Sequence, residues 1–530
     1  MQFLAPSLDL DVYRAAHARS IDKPDEFWDE MAQKHLSWFE PYDLVRDGGF
    51  ELGDICWFRN GKINACWNCI DRHLPEKQDQ VAIVWEGDEV GTSRSITYKE
   101  LHVEVCRIAN ALKSRGVGKG DVVTIYMPMI PEIAMVMLAC ARIGAIHSVV
   151  FAGFSAEALR GRILDCNSRY VVVADEGKRG GKVLGLKSIA DVAVDLCPDV
   201  NTVFVFRYTG GERVVMKPGR DVWMNDLMNK VRPYCPCESM DSEDTLFFLY
   251  TSGSTGKPKG VAHSTAGYLM YAAMTVTLSF DLKVYIYLSI YLCLDPSETD
   301  LIPNYLCLTR HAAQANDIFG CVADCGWITG HTYIVYGPLC SGSTTLMFES
   351  IPTYPTPYRY WDLVQRHKVT QFYTAPTAIR ALMRYDTAPI AEYDLSSLRV
   401  LGSVGEPINP EAWKWYFEHV GRGKCTVVDT YWQTESGGHI AANYPGLIPM
   451  KPGSCSFPCY GIEFAILNPA TGAELSGNDV EGVLCLKKPW PGIARTVHGD
   501  HDRYLNVYMK PYLGMTRNMQ QLYHLIVTPT

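Results

Sequence analysis

The chain lacks any excess of basic charge: 58 Asp and Glu residues outnumber 49 Lys and Arg, leaving a net charge of −9 over 530 residues. Nucleic-acid proteins carry a basic footprint, so no nucleic-acid partner is expected, although a local patch can still serve an anionic substrate. Long apolar runs are missing as well. The most apolar window, VYIYLSIYLCL at 284–294, falls far short of the ~20 residues that span a bilayer. No membrane partner is expected from it. The opening stretch, MQFLAPSLDLDVYRAAHARS, has no basic segment ahead of an apolar core and contains two early aspartates. It reads as neither a secretory signal nor a transit peptide, and the expectation is a cytoplasmic protein. The 18 cysteines form no disulfide framework, which suits reduced thiols. Cys66 and Cys69 in CWNCIDRH have metal-ligand spacing with His73 nearby. No second C-x-x-C stands at zinc-ribbon spacing, so a zinc site is not expected.

What is present is a long alternation. At 530 residues the chain exceeds one core, and two or more domains or subdomains are expected. Residues 1–75 read as a helical, Trp-rich extension, with apolar residues at helical intervals in FWDEMAQKHLSWFEPYDLV. From QVAIVWEG onward short apolar runs alternate with amphipathic helices. TYKELHVEVCRIANALKSRG is a helix closed by Gly116, DVVTIYMPM a strand, PEIAMVMLACARIGA a helix and IHSVVFAGF a strand. The pattern resumes in TTLMFES, RYWDLVQRHK, TQFYTAP, TAIRALMR and LRVLGSVG. This order predicts an α/β fold with parallel, doubly wound sheets in two subdomains whose ends face a shared cleft. There is no short repeat and no low-complexity linker.

The densest cluster of polar small residues is YTSGSTGKPKGVAHS, from Tyr250 to Ser264, which follows the apolar run Leu246 to Leu249. Backbone N–H groups and hydroxyls at the end of a buried strand can wrap an anion while lysines supply charge. The loop is not a Walker motif, because Gly253 and Gly256 enclose two residues and Lys257 meets a proline. Read as a strand, a loop and then the helix AGYLMYAAMTVTL, it points to a phosphate site. Further on, GSVGEPINPEAW offers Gly402 and Gly405 as a backbone opening for a flat ring, with an ordinary strand-to-helix turn as the alternative. DTYWQTESGGH supplies hydroxyls, an amide and a carboxylate, and WITGHTY and RGGK read as small-residue turns.

Together YTSGSTGKPKG, GEP, DTYWQTESGG and WPGIARTVHGDHDRY resemble the adenylate-forming acyl-CoA synthetases, specifically the AMP-forming acetyl-CoA synthetase (acetate–CoA ligase) family. The resemblance runs from FWDEMA to about Tyr512. It implies a large AMP-binding domain over 76–511 with two doubly wound β/α subdomains and a smaller β subdomain. It also implies ATP, Mg²⁺ and CoA, with acetate attacking the α-phosphorus to give acetyl-AMP before CoA takes the acetyl group. Thr251, Ser252, Gly253, Ser254, Thr255, Gly256 and Lys257 would then cradle the leaving pyrophosphate. Gly405, Glu406 and Pro407 would lie against adenine, and Asp429, Thr430, Tyr431, Trp432, Gln433 and Thr434 would line the nucleotide. Glu435 would hold Mg²⁺. Ile328, Thr329, Val404 and Trp432 match the acyl pocket, where an indole favours acetate and tolerates propionate. Arg179, Gly180, Gly181 and Lys182, with Thr329 and Thr353, match positions that contact CoA.

Two departures stand out. Residues 282–316 interrupt the family pattern and read as an atypical insertion, expected to be dispensable. Beyond Pro511 and Tyr512 the match stops, and the tail 512–530 has no partner element. The expectation is that the small C-terminal domain is missing, with its ribose-binding Asp and adenylation Lys, so no catalytic residue is assigned and turnover is expected to be impaired. A nucleotide-binding product without turnover is the alternative. Asp500 does not take the ribose role.

Overall fold

The computed structural model describes residues 10–50, 53–251, 258–282, 317–477, 480–509 and 523–524. The atypical segment 282–316 lies, but for Leu282, outside them. So does most of the tail.

Two large sheets carry the fold. Among the described residues the first has eight strands, in spatial order Asp221–Trp223, Thr202–Phe206, Tyr170–Ala174, Val122–Tyr126, Ile146–Val149, Thr245–Thr251, Lys259–Ser264 and Thr496–Val497. The second has nine: Phe457–Pro458, Ala441–Ala442, Thr426–Tyr431, Val400–Ser403, Gln371–Thr374, Ile318–Cys321, Thr344–Phe348, Val81–Glu86 and Ser93–Thr97. The inner strands of both are parallel, with Tyr126 beside Val173 in one and Ser403 beside Asp429 in the other. Antiparallel strands close every edge except that at Asp221–Trp223, which pairs parallel with Thr202–Phe206. Val171 to Ala174 and Leu346 to Phe348 are buried, as parallel strands covered on both faces require.

Local chemistry sets the helices. Thr97 caps Tyr98–Lys113 by accepting from the Glu100 N–H at 3.2 Å, while the Glu100 carboxylate accepts from the Thr97 N–H at 2.8 Å. This reciprocal cap is worth about 1 kcal/mol. The helix ends ahead of Gly116, whose φ of +91° few other residues adopt. Thr265–Ser279 is apolar all round and buried along its whole length, so it runs through the core.

The helical reading of the first 75 residues holds for Leu10–Asp22 and Pro24–His35 and again in short turns from Ala65 on, but not between them. Leu44–Gly49 and Asp54–Arg59 then form an antiparallel hairpin, and Lys62–Ile63 pairs with Met240–Asp241. Turn chemistry overrides the helical spacing there. Gly48 has φ +75°, and a Cβ on it would meet the Asp54 carbonyl oxygen at 2.0 Å. The segment joins the main core, Trp28 standing edge-on to Trp57 with centroids 6.0 Å apart.

The tail also finds a partner, against expectation. Tyr523–His524 pairs antiparallel with Val483–Leu486 in a small four-stranded sheet. An open strand edge accepts a short extended segment without any sequence period to announce it. At the borders of 283–316, Arg399 reaches Asp281 at 2.9 Å and Asp317 at 2.7 Å, so one guanidinium holds both ends. Among the described residues no helix is long and apolar enough to cross a membrane.

Candidate functional site

Strand order changes direction at two places, and both open toward one cleft. In the first sheet the chain goes from Val122–Tyr126 one way to Ile146–Val149 and the other way to Tyr170–Ala174. In the second it leaves Ile318–Cys321 toward Thr344–Phe348 on one side and Gln371–Thr374 on the other. Ligands of open parallel sheets bind beyond the carboxyl ends of strands at such points. A cavity lies there, lined by Met129, Phe151 and Gly153 beyond strands of the first sheet, by Lys178 and Arg179 from a separate hairpin, and by Asp324 and Glu349 beyond strands of the second.

The expected strand, loop and helix around the phosphate loop needs correction. Thr251 pairs antiparallel with Lys259, and Tyr250 with Gly260, so the loop joins the two strands of a hairpin. The six residues of Lys259–Ser264 are all buried. Their brevity behind Gly256 and Pro258 hides the strand from a periodicity argument. Ser252, Gly253, Ser254, Thr255, Gly256 and Lys257 lie outside the described residues. The hydroxyl of Thr251 is buried and has no hydrogen-bond partner among the described residues.

The hairpin meets the DTYWQTE stretch through ions. Lys259 Nζ stands 2.8 Å from the Glu435 carboxylate, both side chains being over nine-tenths buried. The Tyr508 hydroxyl donates to Glu435 and accepts from Lys259. Burial pushes the Glu435 pKa up, but Lys259 and Tyr508 more than offset it and hold the group below its ordinary value. Glu435 sits on the short turn Thr434–Ser436, closed by Gly437 at φ +72°, where a Cβ would meet the Gly492 carbonyl oxygen at 2.1 Å. His263 Nε2 lies 2.8 Å from the Thr434 carbonyl oxygen, and Trp490 Nε1 donates to the Ser436 carbonyl at 3.0 Å. The turn is braced from two sides.

Asp429, near the end of Thr426–Tyr431, has no cation beside it among the described residues. Burial drives its pKa up to about 6, with Ser403, the Cys455 thiol and a backbone N–H pulling partly against the rise. Thr430 Oγ1 donates to the Ser403 carbonyl at 2.7 Å, tying that strand end to the next. Gly405, at φ +94°, has open space where a Cβ would stand. Gly402 does not provide the expected opening, because a Cβ there would meet the Tyr373 ring at 2.4 Å; its role is close packing inside the strand. The Glu406 carboxylate turns to Thr377 N–H at 2.7 Å and Arg380 at 2.6 Å, leaving its backbone beside Gly405 and Pro407.

WITGHTY is not a loop turn but a short helix, Ile328–Gly330, continuing into a wide helical turn at His331–Tyr336. Small residues permit this by close approach: a Cβ on Gly330 would meet the Asp324 carbonyl oxygen at 2.4 Å. Ile328 and Val404 are buried and Thr329 is half-buried. Trp432 stands edge-on to Tyr333 at 5.0 Å, and Tyr333 stacks on His439 at 4.2 Å. Neither Tyr333 nor His439 was singled out from sequence; their only signal is aromatic density.

RGGK is the turn of the hairpin Gly177–Arg179 and Lys182–Leu184, with Gly180 at φ +61° and Gly181 at +77°. The Asp88 carboxylate accepts both turn N–H groups, at 2.6 and 2.7 Å, and the Ser350 hydroxyl at 2.5 Å. Glu349 accepts from Tyr208 Oη at 2.7 Å and from the Lys178 and Asp88 N–H groups at 3.3 Å. Burial raises its pKa to about 7. Arg179 stands over the Phe151 ring, 5.5 Å from its centroid, and 3.5 Å from Asp324. The segment bearing Thr353 packs on this turn, since a Cβ on Gly181 would meet Tyr354 at 2.7 Å. Lys182 is exposed. Among the described residues no group of three or more His, Cys, Asp or Glu side chains is placed to hold a metal, so Cys66, Cys69 and His73 form no zinc site.

Two doubly wound sheets opening on one cleft have the form of an adenylate-forming enzyme, and residues 70–496 match the family described as AMP-binding enzyme. The chain belongs to that family. Residues 13–69 match the acetyl-coenzyme A synthetase N-terminus. Its curated relatives include the acetyl-coenzyme A synthetase of Coprinopsis cinerea, 54% identical over 95% of this chain and 72% of that one. Those of Dictyostelium discoideum (51%, covering 95% and 71%) and Saccharomyces cerevisiae (acetyl-coenzyme A synthetase 2; 49%, covering 96% and 70%) are similar. The solved acetoacetyl-CoA synthetase from Streptomyces lividans superposes with a TM-score of 0.82 over 97% of this chain and 72% of that one. At 22% identity it speaks to the fold alone.

Proposed function

We propose that this chain is an acetate–CoA ligase, joining acetate to the α-phosphate of ATP and passing the acetyl group to the CoA thiol. The observation that carries the reading is the Lys259–Glu435 contact, which joins the hairpin of the phosphate loop to the DTYWQTE turn. One corner then handles both the polyphosphate and its counter-ion. Thr251 to Lys257 cradle pyrophosphate, Gly405 to Pro407 face adenine, and Asp429 to Thr434 line the nucleotide. Ile328, Thr329, Val404 and Trp432 enclose the acetate methyl. Arg179 to Lys182, Thr329 and Thr353 meet CoA.

Glu435 suits Mg²⁺: it is an ionised carboxylate, and the unpartnered Thr251 hydroxyl offers a second oxygen at the start of the loop. The ion, when bound, neutralises polyphosphate charge. Lys259 already compensates Glu435, so the corner stays charge-paired between turnovers. The protein's own work is placement: two anions, acetate and the α-phosphate, must be held in line. A cytoplasmic location goes with this reading, and every described cysteine is a free thiol, as a reducing compartment allows.

Calorimetry with AMP and its alkyl phosphate esters tests the site. The ethyl and propyl esters, which mimic acetyl-adenylate, should bind at least ~10-fold tighter than AMP, because they fill the acyl pocket as well. The hexyl ester should bind worse, and Trp432→Gly should reverse that order. Equal affinity for all esters, in parent and variant alike, would remove the acyl pocket from this cleft.

A further inference from the structure

Beside Trp432 stands a buried imidazole, His439. It follows Gly437 and Gly438, whose missing side chains let the segment press against the helix Thr265–Ser279: a Cβ on Gly438 would meet the Tyr271 ring at 2.8 Å. Both polar groups of its main chain are fixed. The His439 N–H donates to Tyr333 Oη at 2.9 Å, and Tyr271 Oη donates to the His439 carbonyl at 2.6 Å. Rings box the side chain in. Tyr333 lies against its face, 4.2 Å between centroids, with Phe280 and Tyr373 edge-on at 5.7 and 6.0 Å. Trp432 stands edge-on to both members of the stack, 5.0 Å from Tyr333 and 5.7 Å from His439.

The hydrogen bonds of this layer run one way. Thr430 Oγ1 gives its proton to the Ser403 carbonyl at 2.7 Å, so at its 2.7 Å contact with Tyr373 it can only accept. Tyr373 Oη therefore donates there and accepts from His439 Nε2–H at 3.1 Å. His439 Nδ1, left with a lone pair, accepts from Ser279 Oγ at 2.9 Å. Burial holds the His439 pKa well below its ordinary value, so the ring keeps the single proton that this chain requires. Tyr333 is oriented by the same logic. Thr275 Oγ1 donates to the Tyr271 carbonyl at 2.8 Å and so accepts from Tyr333 Oη at 3.0 Å. The chain from His439 ends at Thr430, two residues before Trp432, so the strand end and the ring stack hold the indole from two directions.

We infer that His439 is a positioning residue for acid selection: stacked on Tyr333 and hydrogen-bonded at both ring nitrogens, it fixes how deep the Trp432 indole stands and so sets the longest acid the pocket takes. This rests on the reading that Trp432 walls the acyl pocket. The indole faces the acid, and the imidazole acts through the indole. Close-packed rings leave no slack, so a void at His439 lets Tyr333 and then Trp432 settle into it, deepening the pocket by ~2 methylenes. One methylene in an apolar pocket discriminates ~10–200-fold, so a shift of that size is enough to change the preferred acid.

The test measures binding of the propyl and pentyl esters of AMP to the intact chain by calorimetry and reads their affinity ratio, in which any general loss of folded protein cancels. The parent should favour the propyl ester. His439→Ala should raise the pentyl-to-propyl ratio ~10-fold or more, and His439→Phe, which restores a ring against Tyr333, should return it to within ~3-fold of the parent. Trp432→Gly should raise the ratio by itself, and adding His439→Ala should change it little further, because the two act as one unit. If His439→Ala yields no folded chain, Tyr333→Leu removes the other half of the stack and should give the same rise. The inference is overturned by an unchanged ratio in the folded variant, by a His439→Phe ratio no nearer the parent than that of His439→Ala, or by additive effects in the double variant. A Trp432→Gly ratio equal to the parent's overturns the acyl-pocket reading, and this inference with it.

Discussion

The corner at Glu435 and the rim beneath Gly180 each bury a glutamate, 7% and 1% exposed, and treat it in opposite ways. Glu435 has Lys259 at 2.8 Å and stays below its ordinary pKa. Among the described residues Glu349 receives one hydroxyl and two N–H groups but no cation, and burial carries it to about 7. Three neutral donors do not replace one buried ammonium. The corner is thus built to keep charge, and the rim to hold a backbone turn in place.

Removing the ammonium should turn the corner into a second rim, with the largest effect. Lys259→Met leaves Glu435 buried without its counter-ion, which costs ~3–5 kcal/mol. The stranded carboxyl now titrates above its unfolded value, so the variant loses stability as pH rises through that window. Urea denaturation should show the full deficit near pH ~8 and a smaller one near pH ~5. A deficit independent of pH would mean that Glu435 stays ionised without Lys259.

The rim itself comes next. Glu349 rises from 4.5 unfolded to about 7 folded, so parent stability falls as pH climbs between those values. At ~1.4 kcal/mol per pKa unit the loss is about 3.5 kcal/mol, and Glu349→Gln should abolish that slope. Asp429 gives the same sign in a lower window, from 3.8 to about 6. Asp429→Asn should flatten about 3 kcal/mol of slope there, measured by the same titration of urea midpoints. If Asp429→Asn steepens the curve instead, Asp429 has a cationic neighbour and belongs with Glu435. The smallest effect concerns the turn. Asp88→Asn keeps one acceptor for two N–H groups, a loss of about 1–2 kcal/mol. Hydrogen exchange of Gly180 and Gly181 should quicken ~10-fold or more, while amides around Glu435 keep their protection.

Sequence order announced the parallel sheets because each βα unit is local: a buried apolar run, then an amphipathic helix. It announced the Gly180–Gly181 turn because two adjacent glycines leave few other conformations. It did not reveal the switch points, since strand order depends on which distant strand packs alongside. Lys259 escaped for a related reason. It was quoted within the phosphate-loop motif, but its partner Glu435 follows a strand of the other sheet. The hairpin at 44–59 was misread because the helical spacing of FWDEMAQKHLSWFEPYDLV was carried past Val45, whereas Gly48 and the turn decide the outcome.

The grip of Arg399 on Asp281 and Asp317 makes the border of 283–316 a place where the chain can be severed. Covalent continuity there adds little, because the two ends are already gathered by a side chain from a third segment. A protease site inserted between them should yield two fragments that travel together through gel filtration. New termini at this seam, with the old ones linked, should give a circular permutant that retains its sheets. The seam offers a port for grafting a reporter without disturbing either strand it borders.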